Sequence, residues 1–179
     1  MSSQLLQTEL LNLIQESKRK NSDLRHAAEA SLNELKALPS TSESQIAADL
    51  VRKPKFVDPF ILACHTRHAK LAGIGVVCLQ RLVASRALPS ERLKDVLGGL
   101  KETTSLSLDI QLKILQSLPS LLQHYSNDLG GELLVTTLEI CATLQASKTL
   151  ALSSTAAATL QQLIVSTFER VLIEDSQFS

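Results

Sequence analysis

The densest group of reactive side chains in the sequence is Cys64-His65-Thr66-Arg67-His68, with Cys78 ten residues beyond His68. Thiolates and imidazoles are zinc ligands, but a structural zinc site needs four of them on converging directions, and C-H-x-x-H followed by one distant cysteine fits no standard spacing. The expectation is a hairpin loop in which Cys64 is buried and both histidines face water, with no metal bound. Nucleophilic catalysis has no better support: there is no G-x-S-x-G elbow, and no cysteine lies in a recognisable catalytic context. Gly73-Ile74-Gly75 lacks the third glycine of a dinucleotide loop and lies within a helical pattern, and Gly130-Gly131 has no Lys-Ser/Thr after it. Glu174-Asp175 reads as a solvated tail. No catalytic, cofactor-binding or metal-ligating residue is assigned.

The elements that would position such groups are helices. In 179 residues, 44% are apolar and 20% charged, while six glycines, five prolines and five aromatics are few for this length. That balance fits an all-α chain with a real core. Formal charge is zero, but residues 1–90 hold 12 Lys/Arg against 8 Asp/Glu and residues 91–179 hold 6 against 10. A tilt of that size suits two solvated faces, or an acidic partner or anionic membrane near the first half. Nucleic acid is set aside, because no basic run exceeds Lys18-Arg19-Lys20 and no aromatic alternates with the basic residues. Cys64, Cys78 and Cys141 each lie in an apolar run and read as reduced, buried hydrophobes of an intracellular protein. No segment reaches the roughly 18 apolar residues of a membrane span.

Helical spacing recurs along the chain. Leu5, Leu6, Leu10, Leu13 and Ile14 form one stripe, closed by the cations at Lys18 to Lys20. Asn21 to Asp23 can cap a second helix carrying Leu24, Ala28, Leu32, Leu35 and Leu38, which Pro39 ends. Thr41 to Ser44 can cap a short third one through Ile46, Ala47, Leu50 and Val51. Pro54 and Pro59 bound a helical turn with Phe56, Phe60, Ile61 and Leu62, the least regular part. From about Arg67 to Ala87 a long helix aligns Leu71, Ile74, Cys78, Leu82 and Val83, and its Gly73 and Gly75 let another helix approach. Ser90 can cap a helix with Leu93, Val96, Leu97 and Leu100 inward.

In SLSLDIQLKILQSLPSLLQHY the expected stripe is Leu108, Leu112, Leu115 and Leu122, with Pro119 as a kink or a new start. After Gly130-Gly131 come Leu134, Leu138, Cys141 and Leu144. Ser153 or Ser154 is expected to cap a last helix with Ala157, Leu160, Ile164, Phe168 and Val171 inward. About eight or nine helices in stacked antiparallel hairpins, pairing every 40–45 residues or so, give an armadillo/HEAT-like α-solenoid rather than a four-helix bundle. Polar residues interrupt the apolar runs at Gln80-Arg81, Gln111, Lys113, Gln123, Gln161 and Gln162, as a solvent face or as a binding surface.

Three stretches together resemble a known family: KLAGIGVVCLQRLV (Lys70 to Val83), DIQLKILQSLPSLL (Asp109 to Leu122) and the pair from Glu132 to Val171. They are similar to the dimerization and cyclophilin-binding (DCB) domain of the large Arf guanine-nucleotide exchange factors of the Golgi and of the related monensin-sensitivity scaffold that works with Dopey. The phrase T-A-A-A-T-L-Q-Q, with F-E-R thirteen residues after its first threonine, is the most specific part and favours the scaffold branch. The resemblance implies an armadillo-like domain over residues 1–179 that opens a far longer protein and has no catalysis of its own. It implies vesicle traffic between Golgi and endosomes, peripheral on trans-Golgi and endosomal membranes. It also implies self-association, contacts with a neighbouring domain of the same protein, a Dopey-type partner and recruitment by small Arf-like GTPases. The exchange factors' regulatory domain and a generic HEAT adaptor are the alternatives. Lys70, Gln80, Arg81, Gln111 and Lys113 are the polar positions that fit the family's pattern and form the expected interaction face.

Overall fold

A computed structural model describes residues 2–17, 19–39 and 42–178. Lys18 and Thr41, assigned above to a helix end and a cap, lie outside the described residues. Among the latter are nine α-helices and no strand: α1 (Ser3–Glu16), α2 (Ser22–Lys36), α3 (Glu43–Leu50), α4 (Asp58–His65), α5 (Ala69–Ala84), α6 (Leu93–Glu102), α7 (Leu108–His124), α8 (Gly131–Gln145) and α9 (Leu150–Phe178). Three short 3₁₀ turns precede α2, α4 and α6.

Helices α1, α5, α7 and α9 pack side by side as one layer, and α2, α4, α6 and α8 as the other. The chain crosses between layers in antiparallel hairpins, most closely packed in α1–α2, α4–α5 and α8–α9. This is the stacked-hairpin solenoid that the apolar spacing required, because each helix buries one stripe and needs neighbours on either side to cover it. Bonds between successive hairpins recur at separations of 37 or 38 residues. Arg92 Nη1 donates to the Pro54 carbonyl (2.6 Å), His65 Nδ1 meets Glu102 (2.8 Å), and Lys101 Nζ meets Glu139 (2.6 Å). The Leu88 N–H donates to the Tyr125 hydroxyl, which donates back to the Leu88 carbonyl (3.1 and 3.2 Å). The interval lies slightly below the 40–45 residues expected.

Local expectations fare unevenly. Ser42 caps α3, its hydroxyl accepting from the Gln45 N–H at 3.3 Å. Asn21 precedes α2 without a side-chain cap bond, and Ser90 lies in a 3₁₀ turn instead of capping α6. The segment thought least regular is the centre of the molecule: α4 buries Pro59, Phe60, Ile61, Ala63 and Cys64 among α2, α5 and α6. Phe56 and Phe60 meet edge to face, with ring centroids 5.8 Å apart. Two prolines at helix starts had suggested interruption, yet proline suits the first turn of a helix, where its missing N–H leaves no bond unmade.

Three stripes depart from the expected ones: in α8, Thr137, Ile140, Cys141 and Leu144 are buried, while Leu134 and Leu138, expected inward, are half-buried. In α7 the buried residues are Ile110, Ile114, Leu115, Leu118 and Leu121, while Leu108 is exposed and Leu112 and Leu122 are half-buried; the helix runs unbroken through Pro119. In α9 the buried residues are Leu152, Ala156, Thr159 and Leu163, and the helix already begins at Leu150. Ser153 is therefore no cap; its hydroxyl donates to the Gln145 carbonyl of α8 at 2.7 Å. Ala157 and Leu160 are half-buried, but Ile164, Phe168 and Val171 are 57%, 63% and 47% exposed. Apolar residues occur on nearly every side of α9, so their spacing permits more than one stripe, and only the position of α8 selects between them.

Candidate functional site

Helices α5 and α7 run side by side, and their outer surface holds two hollows with one lining residue in common. The first, a cleft of about 380 Å³ where α1 joins them, has Gly73, Ile74, Val77 and Ile110 for a floor and Glu9, Lys70, Asp109 and Lys113 among its lining. The second, about 320 Å³, is lined by Gln80, Arg81, Ala84, Ser85 and Lys113. Lys113 belongs to both. Four of the five residues assigned to an interaction face, Lys70, Gln80, Arg81 and Lys113, thus fall on one strip, with an apolar floor edged by charges of both signs at one end and Gln80 and Arg81 at the other.

Beneath the strip, α5 packs closely on α4. Gly75 sits against α4 so closely that a β-carbon there would lie 2.6 Å from the Phe60 carbonyl oxygen. At Gly73 the same β-carbon would lie 3.8 Å from Ile110, an ordinary contact. The two glycines, read together as packing devices, therefore do different things: Gly75 lets α4 approach, and Gly73 leaves the cleft floor without a side chain.

Polar residues around the strip divide into those that brace it and those that face outward. Lys70 reaches α1 through Glu16 (Nζ to Oε1, 2.6 Å), a pair whose exposed side chains make it of small energetic weight. Gln111 donates from Nε2 to the Thr104 carbonyl at 2.8 Å and ties α7 to the turn before it, away from both hollows. Arg86, at φ 56°, closes the end of α5 and donates from Nε to His124 Nδ1 at 2.8 Å. Arg81 is exposed and Lys113 half-buried. The apolar floor was missed from the sequence, since Ile74 and Val77 cannot be told from core residues until α1 and α7 are seen to part around them.

A second surface lies at the α8–α9 end, where Leu134, Leu138, Ile164, Thr167, Phe168 and Val171 line an apolar groove of about 290 Å³. The Cys-His cluster, by contrast, diverges. Cys64 and Cys78 are fully buried, while His65 turns outward to Glu102. Burial, with a smaller contribution from Glu102, pushes the Cys64 thiol up to about 12, and burial pushes Cys141 to about 11 and Cys78 well above its usual range. Such thiols are neutral packing groups at ordinary pH. Among the described residues no three His, Cys, Asp or Glu side chains are grouped to hold a metal ion, and no helix is long and apolar enough to cross a membrane.

Stacked helical hairpins with a firm core and shallow, lipped outer surfaces are the build of a helical-repeat interaction domain. Residues 1–175 match the Mon2/Sec7/BIG1-like dimerisation and cyclophilin-binding domain, and the chain belongs to that family. Among its relatives, Protein MON2 of Saccharomyces cerevisiae is 40% identical over 171 residues, 94% of this chain and 10% of that protein. The Schizosaccharomyces pombe MON2 homolog is 29% identical over 154 residues, 86% of this chain and 10% of the relative. The Homo sapiens homolog is 27% identical over 172 residues, 96% of this chain and again 10% of the relative. The chain spans about a tenth of the length of these relatives.

Proposed function

We propose that this chain is a noncatalytic protein-interaction domain of a scaffold in vesicle traffic between Golgi and endosomes, working as one unit over residues 1–179 within a longer, peripherally attached protein. The strip on α5 and α7 is its recruitment face. The observation that carries this reading is that Lys70, Gln80, Arg81 and Lys113, drawn from two helices, line two hollows that share Lys113. An apolar floor beside Arg81 and Lys113 suits a protein partner presenting an apolar anchor and carboxylates, because apolar burial supplies affinity and charge supplies orientation. A small Arf-like GTPase is the partner that the family resemblance supplies. Self-association, contact with a neighbouring domain and a Dopey-type partner of the longer protein belong to the same reading. The relatives described above are Mon2 proteins, which favours a scaffold over the regulatory domain of an exchange factor.

The test is binding of an Arf-like GTPase, loaded with GDP or a nonhydrolysable GTP analogue, to the wild-type chain and to Arg81→Glu and Lys113→Glu, with circular dichroism as a check on folding. The reading expects nucleotide-dependent binding that each reversal weakens at least tenfold, while helicity and Tm stay the same. Equal binding by all three proteins would remove the strip from the interaction, and no binding with either nucleotide would remove the GTPase.

A further inference from the structure

Among the residues lining the strip on α5 and α7, two carry an aliphatic hydroxyl: Ser107 in the first hollow and Ser85 in the second. Their settings differ in what bears on chemical modification. Ser85 is half-buried and closes the C-terminal end of α5, where the last backbone carbonyls disfavour added negative charge. Ser107 is exposed and stands just before α7 with extended backbone (φ −62°, ψ 159°). Its side chain makes no cap hydrogen bond to the helix it precedes. The next two residues, Leu108 and Asp109, are exposed as well, so an enzyme can approach this hydroxyl from outside.

The cleft that holds Ser107 is balanced in charge, with Lys70 and Lys113 against Glu9 and Asp109. Helices α5 and α7 are parallel, because their first turns share this cleft while Arg86 and His124 meet at their far ends. A phosphate ester on Ser107 would bring about two negative charges into that setting. It would sit beside two lysines, and Lys113 would reach it readily, since helical side chains lean toward the N-terminus of their helix. The first N–H groups of α7 add to the same attraction. The cleft would pass from balanced to acidic, and Lys113, the residue common to both hollows, would be drawn to the phosphate.

From these features we infer that Ser107 is a phosphorylation site that switches the recruitment face off. The Ser107 oxygen attacks the γ-phosphorus of ATP on a serine/threonine kinase. The new O–P bond forms as the bridging bond to the β-phosphate breaks, the hydroxyl proton passes to the kinase's base, and ADP leaves. Hydrolysis by a phosphatase restores the serine and releases inorganic phosphate. A partner that presents carboxylates to Arg81 and Lys113 would meet like charge at the cleft and lose Lys113 to the phosphate. The inference rests on the reading of this strip as the recruitment face and adds its regulation.

The experiment begins with the protein isolated from its own cells under phosphatase inhibition, where phosphopeptide mass spectrometry should find phosphate on Ser107. The chain is then made with phosphoserine installed in place of Ser107 during translation. Phosphorus NMR should give it a second phosphate pKa about one unit below that of the same chain unfolded in urea, and Lys113→Gln should remove about half of the difference. Binding of the activated Arf-like GTPase should weaken about tenfold with the phosphate in place, and dephosphorylation should restore it. No phosphate on Ser107 in the cellular protein overturns the inference. So does the same phosphate pKa folded and unfolded, and so does a GTPase affinity that the phosphate leaves unchanged. A chain that binds no GTPase with or without phosphate removes the GTPase reading instead, and the mass spectrum and the phosphorus titration then decide for or against Ser107.

Discussion

Replacing Gly75 by alanine puts a methyl group where α4 and α5 touch, and the structure sets the size of the effect. The new β-carbon would lie 2.6 Å from the Phe60 carbonyl oxygen, 3.1 Å from the Ala63 β-carbon and 3.3 Å from Cys64 Sγ. The first of these is the backbone of Phe60, a fully buried residue of α4, so the contact is relieved only by moving one helix against the other. Overpacking of this kind costs about 1–3 kcal/mol, and a backbone obstacle belongs at the upper end. Alanine returns about 1 kcal/mol of helix propensity over glycine, leaving a net loss of about 2 kcal/mol. For a chain of this length that lowers Tm by about 4–8 °C. Gly98 is the control: it also lies within a helix, but a β-carbon there meets nothing within 4 Å, so Gly98→Ala keeps the propensity gain and raises Tm by about 2–4 °C. The assay is thermal unfolding followed at 222 nm, with urea titration for the free energy. A Gly75→Ala protein as stable as Gly98→Ala would refute the close approach of α4 to α5.

Phe60→Ala should cost about 3–5 kcal/mol in urea unfolding, because Phe60 is fully buried, whereas Phe168→Ala in the same 179-residue chain should change stability by no more than about 0.5 kcal/mol. Equal losses would restore Phe168 to the core. Tyr125→Phe removes the hydroxyl that bonds both the N–H and the carbonyl of Leu88 and should cost about 1–3 kcal/mol, with the Leu88 amide exchanging faster. All three cysteines are buried, so a thiol reagent at pH 8 should modify none in the native protein and all after denaturation. Since the folded thiols ionise only at higher pH than the unfolded ones, the unfolded state loses protons first. The urea midpoint should therefore fall as pH rises above about 9, and less steeply in Cys64→Ala.

Residue by residue, what could be read early and what could not follows from what each element borders. Leu6, Leu10 and Leu13 of α1 and Leu24, Ala28, Leu32 and Leu35 of α2 were legible because each helix is apolar along one stripe only, so its burial is settled before any neighbour is known. Lys70, Gln80, Arg81 and Lys113 were legible as a surface for the same reason: polar groups in otherwise apolar helices must face outward. Their apolar companions Ile74, Val77 and Ile110 were not, since an aliphatic side chain flooring a cleft has the spacing of one in the core. The division is sharpest in α9. Local spacing gave a helix, and the resemblance of its phrase pointed to the family, but Ile164, Phe168 and Val171 were placed inward when they face water. A helix apolar on most sides has several faces of similar burial energy, and the choice among them is made by where α8 lies. The sequence alone thus determined the helices and the all-α class, since these follow from periodicity and side-chain chemistry. Only tertiary packing decided which faces are core and which remain open, because burial is a property of pairs of surfaces and not of a single stripe.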